Sequence, residues 1–311
     1  MNNKSLVGKI TDWYKITRKS LAHFMTNRPV EMAGTTAYFA IFSMVPIIII
    51  IVAVFGIVTG DKAISEKLFE ELSLLVGQEN SVVLEKAINN YELSENSLIG
   101  TIIGVGFFLV SATTLFSSMQ SSINFFWRVK TRSNLKMNVL SLLRSRILSF
   151  GVILSLGFVL LVSLIIDAII AIIKEFLATQ ISPDFIIIAQ VANFVVSLAI
   201  VSFVIALIYK YLPDVKVKWS ASWFGAVFTA VLFATGKLGI GFFIGNSNLG
   251  QVYGAASSIV VILIWIYFAS LIFYFGVELT YQFSKYHDHD NSPASFAIPF
   301  EINKLNAVQE D

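Results

Sequence analysis

Four residues that could do chemistry lie where polar groups are most costly. Asp167, Gln190, Asn193 and Lys237 each interrupt a long apolar run. A central Lys or Asp in a membrane helix costs roughly 2.5–3.5 kcal/mol, so such a group needs a partner, a cavity or water. At 1.5 Å per helical residue, Asp167 lies about 9 Å and Lys237 about 10 Å from the outer end of its run. Gln190 and Asn193 lie at similar depth, three residues apart and hence on one helical face. One reading pairs Asp167 with Lys237 along an outward-facing polar cavity, with Gln190 and Asn193 as hydrogen-bond partners. The other has Lys237 snorkelling to the headgroups and Asp167 capping a ragged helix end.

Other chemistry is sparse. There is no cysteine, which excludes disulfides, thiol catalysis and Cys-based metal sites. The run His287-Asp288-His289-Asp290 has metal-ligand types. The chain has only one other histidine, His23, so a solvated tail is expected and no metal site. No phosphate loop, Ser-His-Asp set or dinucleotide fingerprint is present. The expectation is therefore no catalytic residue, no cofactor and no enzyme. Glu278 stands near the end of the last apolar run, where it could neutralise Lys210 or Arg146 or take part in proton coupling. Tyr38, Ser43 and Pro46 share the first run. Pro46 cannot donate its backbone bond and clashes with the carbonyl of Phe42, so a kink is expected that either serves a moving gate or only shapes packing.

The elements that must position these residues are membrane spans. From Gly254 to Val277 there are 24 residues without a charge, and about 20 suffice to cross a hydrocarbon core. Five further runs follow the same logic: 34–58, 98–126, 147–173, 185–208 and 221–244. The expected fold is all-α, a polytopic bundle of six spans over 33–284. Residues 1–32 are expected as a basic amphipathic helix on the membrane face, with Leu6, Ile10, Trp13, Leu21 and Phe24 near helical spacing. Residues 61–97 are acidic and read as a small extracytoplasmic helical lid. Residues 285–311 read as a disordered tail. Ala226, Ala230 and Ala234 form a small-xxx-small ridge for close helix contact. Overall 56% of residues are hydrophobic and 14% charged, against about 25% charged in soluble domains.

Charge is sorted by position. The N-terminal segment, the 128–146 loop, the 209–219 loop and the tail hold 17 of the 22 Lys and Arg. The positive-inside rule then places both termini in the cytoplasm, facing anionic lipid. These basic groups sit where that rule already puts them, so no nucleic-acid partner is implied.

Several phrases together resemble the YihY/BrkB family of bacterial membrane proteins. They are AGTTAYFAIFSMVP (33–46), Asn124 with Trp127, and Tyr211-Leu212-Pro213-Asp214 followed by Trp219 and Gly225-Ala226. Tyr253-Gly254-Ala255, Trp265, Tyr267 and Phe275-Gly276-Val277-Glu278-Leu279 complete the set, in order, over about 26–281. The resemblance implies a six-span, multi-pass inner-membrane protein, for which transport or efflux is often suggested. It marks Tyr38, Ser43, Pro46, Asn124, Pro213, Gly254, Trp265 and Glu278 as motif or gate residues. A ribonuclease label once attached to some members gains nothing here, since that chemistry needs a His-rich metal site. The expected function is transport or efflux of a small or amphiphilic solute. The alternative is a structural or assembly protein of the cell envelope that moves no solute. Homo-oligomerisation is left open by the sequence.

Overall fold

The structure is a computed structural model that describes residues 6–43, 98–131, 183–247 and 252–301. The lid, the third span, Asp167, Arg146 and Pro46 lie outside the described residues. The elements are helices α1 (Leu6–Thr26), α2 (29–43), α3 (Leu98–Phe126), α4 (Pro183–Tyr211), α5 (Trp219–Gly245) and α6 (Ser257–Tyr286). Two short strands join them, β1 (Val129–Thr131) and β2 (Ala297–Pro299).

Among the described residues, three helical stretches are long and apolar enough to cross a membrane: Phe194–Tyr211, Trp219–Lys237 and Ile259–Tyr286. They fall in the expected fourth, fifth and sixth spans. Their outer surfaces carry exposed Phe194, Val195, Phe203, Val227, Val231, Leu263 and Phe268, as suits helices solvated by lipid rather than water. The last stretch runs past Val277 to Tyr286, so Glu278 lies inside a helical segment and not at its end.

Among the described residues, three helix-ending turns are closed by non-glycine residues in the left-handed region: Arg28 (φ 54°), Arg128 (φ 56°) and Asp288 (φ 46°). After α6 the N–H of His289 donates to Ser284 O (3.0 Å) and that of Asp288 to Lys285 O (3.3 Å), the paired bonds of a Schellman motif. The single N-terminal helix expected over 1–32 is instead broken at Asn27–Arg28. Pro29 disfavours the α region for the residue before it, and a new helix starts there.

The expected disordered tail is folded as far as Glu301. β2 pairs antiparallel with β1 in the register Val129↔Pro299, Lys130↔Ile298, Thr131↔Ala297. Val215 bridges to Pro293, and the N–H of Lys216 donates to Ser292 O (3.1 Å). These contacts are backbone to backbone and need no apolar side chain, which is why a polar sequence can hold them.

The chain divides into two compact units. The first comprises residues 1–27, 120–230 and 275–311, the second 28–119 and 231–274. In the first, α5 and α6 approach closely at Gly225 and Gly276. A Cβ on Gly276 would run into the Thr229 and Tyr209 side chains, and one on Gly225 into Thr280 and to 2.8 Å from Gly276 O. Tyr209 is fully buried there, its hydroxyl 2.9 Å from Thr229 Oγ1. Ala226 and Ala230 of the small-residue ridge are buried. In the second unit, Thr36 Oγ1 and the buried Tyr274 hydroxyl join α2 to α6 at 2.6 Å.

Candidate functional site

Among the described residues of the first unit, two carboxylates are fully buried, Asp214 and Glu278. A buried carboxylate must be hydrogen-bonded or paired, and the two solve this differently.

Asp214 ends the Tyr211–Asp214 segment that follows α4. Gln120 Nε2 donates to its Oδ1 (3.0 Å), while Asn124 Nδ2 (2.8 Å) and Thr131 Oγ1 (3.1 Å) donate to Oδ2. Its own N–H donates back to Asn124 Oδ1 (2.8 Å). Its carbonyl accepts from Ala294 N–H (2.9 Å). One residue thus ties α3, β1, the post-α4 segment and the tail. Pro213, also buried, removes a backbone donor beside it.

Glu278 lies on α6 and meets the C-terminal end of α1. Gln282 Nε2, one turn on, donates to its Oε1 (2.7 Å), and Asn27 Nδ2 donates to Oε2 (3.3 Å). Asn27 in turn accepts at Oδ1 from Arg128 Nη2 (2.6 Å). Asn27 therefore stands between a carboxylate and a guanidinium, a relay rather than a direct ion pair. The Arg128 guanidinium sits 5.0 Å from the centre of the Phe125 ring, and its Nη1 is buried with no hydrogen-bond partner among the described residues.

His23 completes this cluster. Its Nδ1 lies 3.2 Å from Glu278 Oε1 and 3.1 Å from Asn27 Nδ2. The first contact needs a proton on Nδ1 or on the carboxyl, and the second a lone pair on Nδ1. Burial, and then the positive charges of Arg128 and Lys285, hold the His23 imidazole below its ordinary value. At neutral pH it is uncharged, and the contact with Glu278 is a hydrogen bond rather than an ion pair. The His23 side chain is 40% exposed and that of Glu278 is not exposed at all. The arrangement can therefore hand a proton between solvent and a buried carboxylate. Its hydrogen bonds do not assemble an activated nucleophile, and no group of three His, Asp or Glu among the described residues could hold a metal.

The sequence expectations map onto this unevenly. Glu278 is fully buried, and Lys210, one of the two cations expected to neutralise it, is not its partner. Lys210 Nζ instead donates to Val217 O and lies 5.8 Å from the Trp219 ring centre. Its chain is drawn towards the following loop. Asn124 is the hinge of the Asp214 network. Lys237 is exposed on α5. Gln190 and Asn193 lie on α4, with side chains outside the described set, so the Asp167–Lys237 cavity is not addressed. Tyr38 is exposed, its ring 4.8 Å from that of Phe42, and Ser43 is buried, donating to Phe39 O (2.8 Å). Gly254 opens the turn before α6 at φ 52°, and Trp265 is half-buried on α6. His287 packs on Phe283, ring centres 4.2 Å apart, so His287 and His289 help to close the turn after α6. The partners His23, Asn27, Arg128, Gln120 and Thr131 were not expected. Asp214 appeared only inside a family phrase.

The family model described as "Virulence factor BrkB" matches residues 20–297. Among curated relatives, a UPF0761 membrane protein of Acinetobacter baylyi is 24% identical over 88% of this chain and 63% of its own length. One from Pseudoalteromonas translucida is 28% identical over 80% of this chain and 79% of its own. A third, from a Psychrobacter species, is 24% identical over 96% of this chain and 53% of its own. The chain thus spans between about half and four fifths of these relatives. No solved structure matches it.

Proposed function

The chain belongs to the virulence factor BrkB family, and on that premise we propose that it is a transporter or efflux protein for a small or amphiphilic solute. In this reading it is a multi-pass protein of the bacterial inner membrane, with six spans and both termini in the cytoplasm. The observation that carries the reading is Glu278. A carboxylate with no exposure, inside a 28-residue stretch able to cross a membrane, is expensive, and such groups mark ion and substrate pathways. His23 gives that carboxylate a route to solvent, which is what proton-coupled movement needs. No catalytic or cofactor role is assigned. The Asp167–Lys237 pair, with Gln190 and Asn193, remains the proposed outward-facing end of the pathway.

The second reading is a structural or assembly protein of the envelope. The Asp214 network favours it, since every bond there fastens one segment to another. Proteoliposomes separate the two. Vesicles holding the full chain, loaded with a panel of amphiphilic fluorescent dyes under an imposed pH gradient, are expected to release at least one dye faster than protein-free vesicles. Glu278→Gln should return release to the protein-free rate while the variant still elutes as folded protein. Equal release with and without protein, for every dye, would remove the transport reading and leave the structural one.

A further inference from the structure

We propose that the groove between α1 and the last turns of α6 binds the phosphate headgroup of an anionic phospholipid. The groove has a volume of about 600 Å³ and is lined by Lys15, Arg18, Lys19 and Lys285, with Tyr14 and Tyr286 among its walls. Four cations line it, and among the described residues no carboxylate does. None of the four shares an ion pair with an acid among the described residues. Cations gathered with no acid in ion-pair contact repel one another, and a phosphate relieves that repulsion.

The way α1 is rotated supports a lipid as the source of that phosphate. Its buried face is Ile16, Ser20, Phe24 and, just beyond its end, Asn27. Phe24 packs on Phe126 and Phe275, with ring centres 6.0 and 5.4 Å away. The outer face then carries Tyr14 (65% exposed), Arg18, Leu21 (53%) and Met25 (67%) on one stripe. Large apolar side chains left exposed beside basic ones are the pattern of a helix lying at a membrane interface. Trp219, Trp223, Tyr211 and Tyr286 are also partly exposed in this unit. Such amphipathic aromatics settle at the headgroup level. Acyl chains would lie along the apolar surface, with the phosphate among the four cations. The inference rests on the chain being a membrane protein and is independent of transport.

The test is lipid retention by the full chain in detergent, counted by native mass spectrometry. The probes are phosphatidylglycerol and phosphatidylcholine, with inorganic phosphate as competitor. Wild type is expected to retain one phosphatidylglycerol in preference to phosphatidylcholine, and each cation changed to Gln should weaken retention by about fivefold. Ala22→Trp, which fills the groove and leaves every charge in place, should lose the lipid as well. Lys216→Gln with Lys218→Gln, outside the groove, should not. Equal losses in groove and control variants would mean only diffuse attraction of anionic lipid, and would overturn the site. So would retention unaffected by Ala22→Trp, or displacement of the lipid by millimolar inorganic phosphate, which would mark a free-anion site. None of these readouts depends on solute movement, so the outcome is separable from the proteoliposome result.

Discussion

Asp214 and Glu278 are both fully buried carboxylates in the same compact unit, yet they are built for different work. Asp214 is surrounded by three side-chain donors, and its own backbone N–H and carbonyl are bonded as well. Two of those side-chain donors are amides and one is a hydroxyl, so none changes charge near neutral pH. Glu278 has two amide donors, an imidazole at 3.2 Å and a guanidinium one residue removed. One neighbour can titrate, and the same neighbour reaches solvent. A carboxylate saturated by neutral donors is a clamp. A carboxylate left beside a titratable group is a site whose state can change.

The largest expected effect breaks the clamp. Asp214→Ala would remove the carboxylate that accepts from Gln120 Nε2, Asn124 Nδ2 and Thr131 Oγ1 at once. A buried group left unpaired costs about 1–3 kcal/mol, so a loss of about 3–5 kcal/mol is expected, on the scale of other broken buried networks. Thermal unfolding in detergent, followed by tryptophan fluorescence, would show it as a large fall in midpoint. Glu278→Ala orphans two amides and should cost less. If Glu278→Ala proves the more destabilising of the two, the division between clamp and site is wrong.

A smaller effect sharpens the comparison. Asn27→Ala removes the link between Arg128 and Glu278, including one bond to a charged donor, and should cost about 1.5–3 kcal/mol. Asn124→Ala removes comparable bonds at the clamp. The two should differ in kind. In proteoliposomes Asn27→Ala should alter solute release by more than its loss of folded protein explains, whereas Asn124→Ala should alter release only in proportion to that loss. Proportional loss in both would make Glu278 a second clamp.

What was legible beforehand follows the type of force involved. The three apolar stretches were readable because hydropathy is a sum over many residues and tolerates local error. The buried Ala226 and Ala230 were readable from spacing alone. The folded tail was not, because β1–β2 pairing and the Ser292–Lys216 bond are made by backbone groups that every sequence has. The ends of α3 at Phe126 and of α6 at Tyr286 fall where the apolar runs stop, but the break at Asn27–Arg28 was invisible, since the usual signal is glycine and none stands there. The Glu278 partners were missed because a buried carboxylate prompts a search for a cation. The actual donors are amides, one of them 251 residues away. Asp214 was missed because a loop with Lys210, Lys216 and Lys218 reads as solvated, although Asp214 itself is sealed.

His23 provides the finest test of the contrast. Its folded-state value lies below the ordinary 6.5, with burial the first cause and the Arg128 and Lys285 charges next. In the window below 6.5 the unfolded chain therefore binds more protons than the folded one, and stability must rise with pH there and fall on acidification. The side chain is 40% exposed, so solvent screening keeps the effect small, about 1 °C in unfolding midpoint or less. His23→Gln should flatten that slope and leave the rest of the pH profile unchanged. The same substitution removes the proton carrier beside Glu278, so release driven by a pH gradient should lose its pH dependence over the same window. A flattened stability profile with unchanged release would keep His23 as a structural neighbour only, and the proton route to Glu278 would have to run through another group.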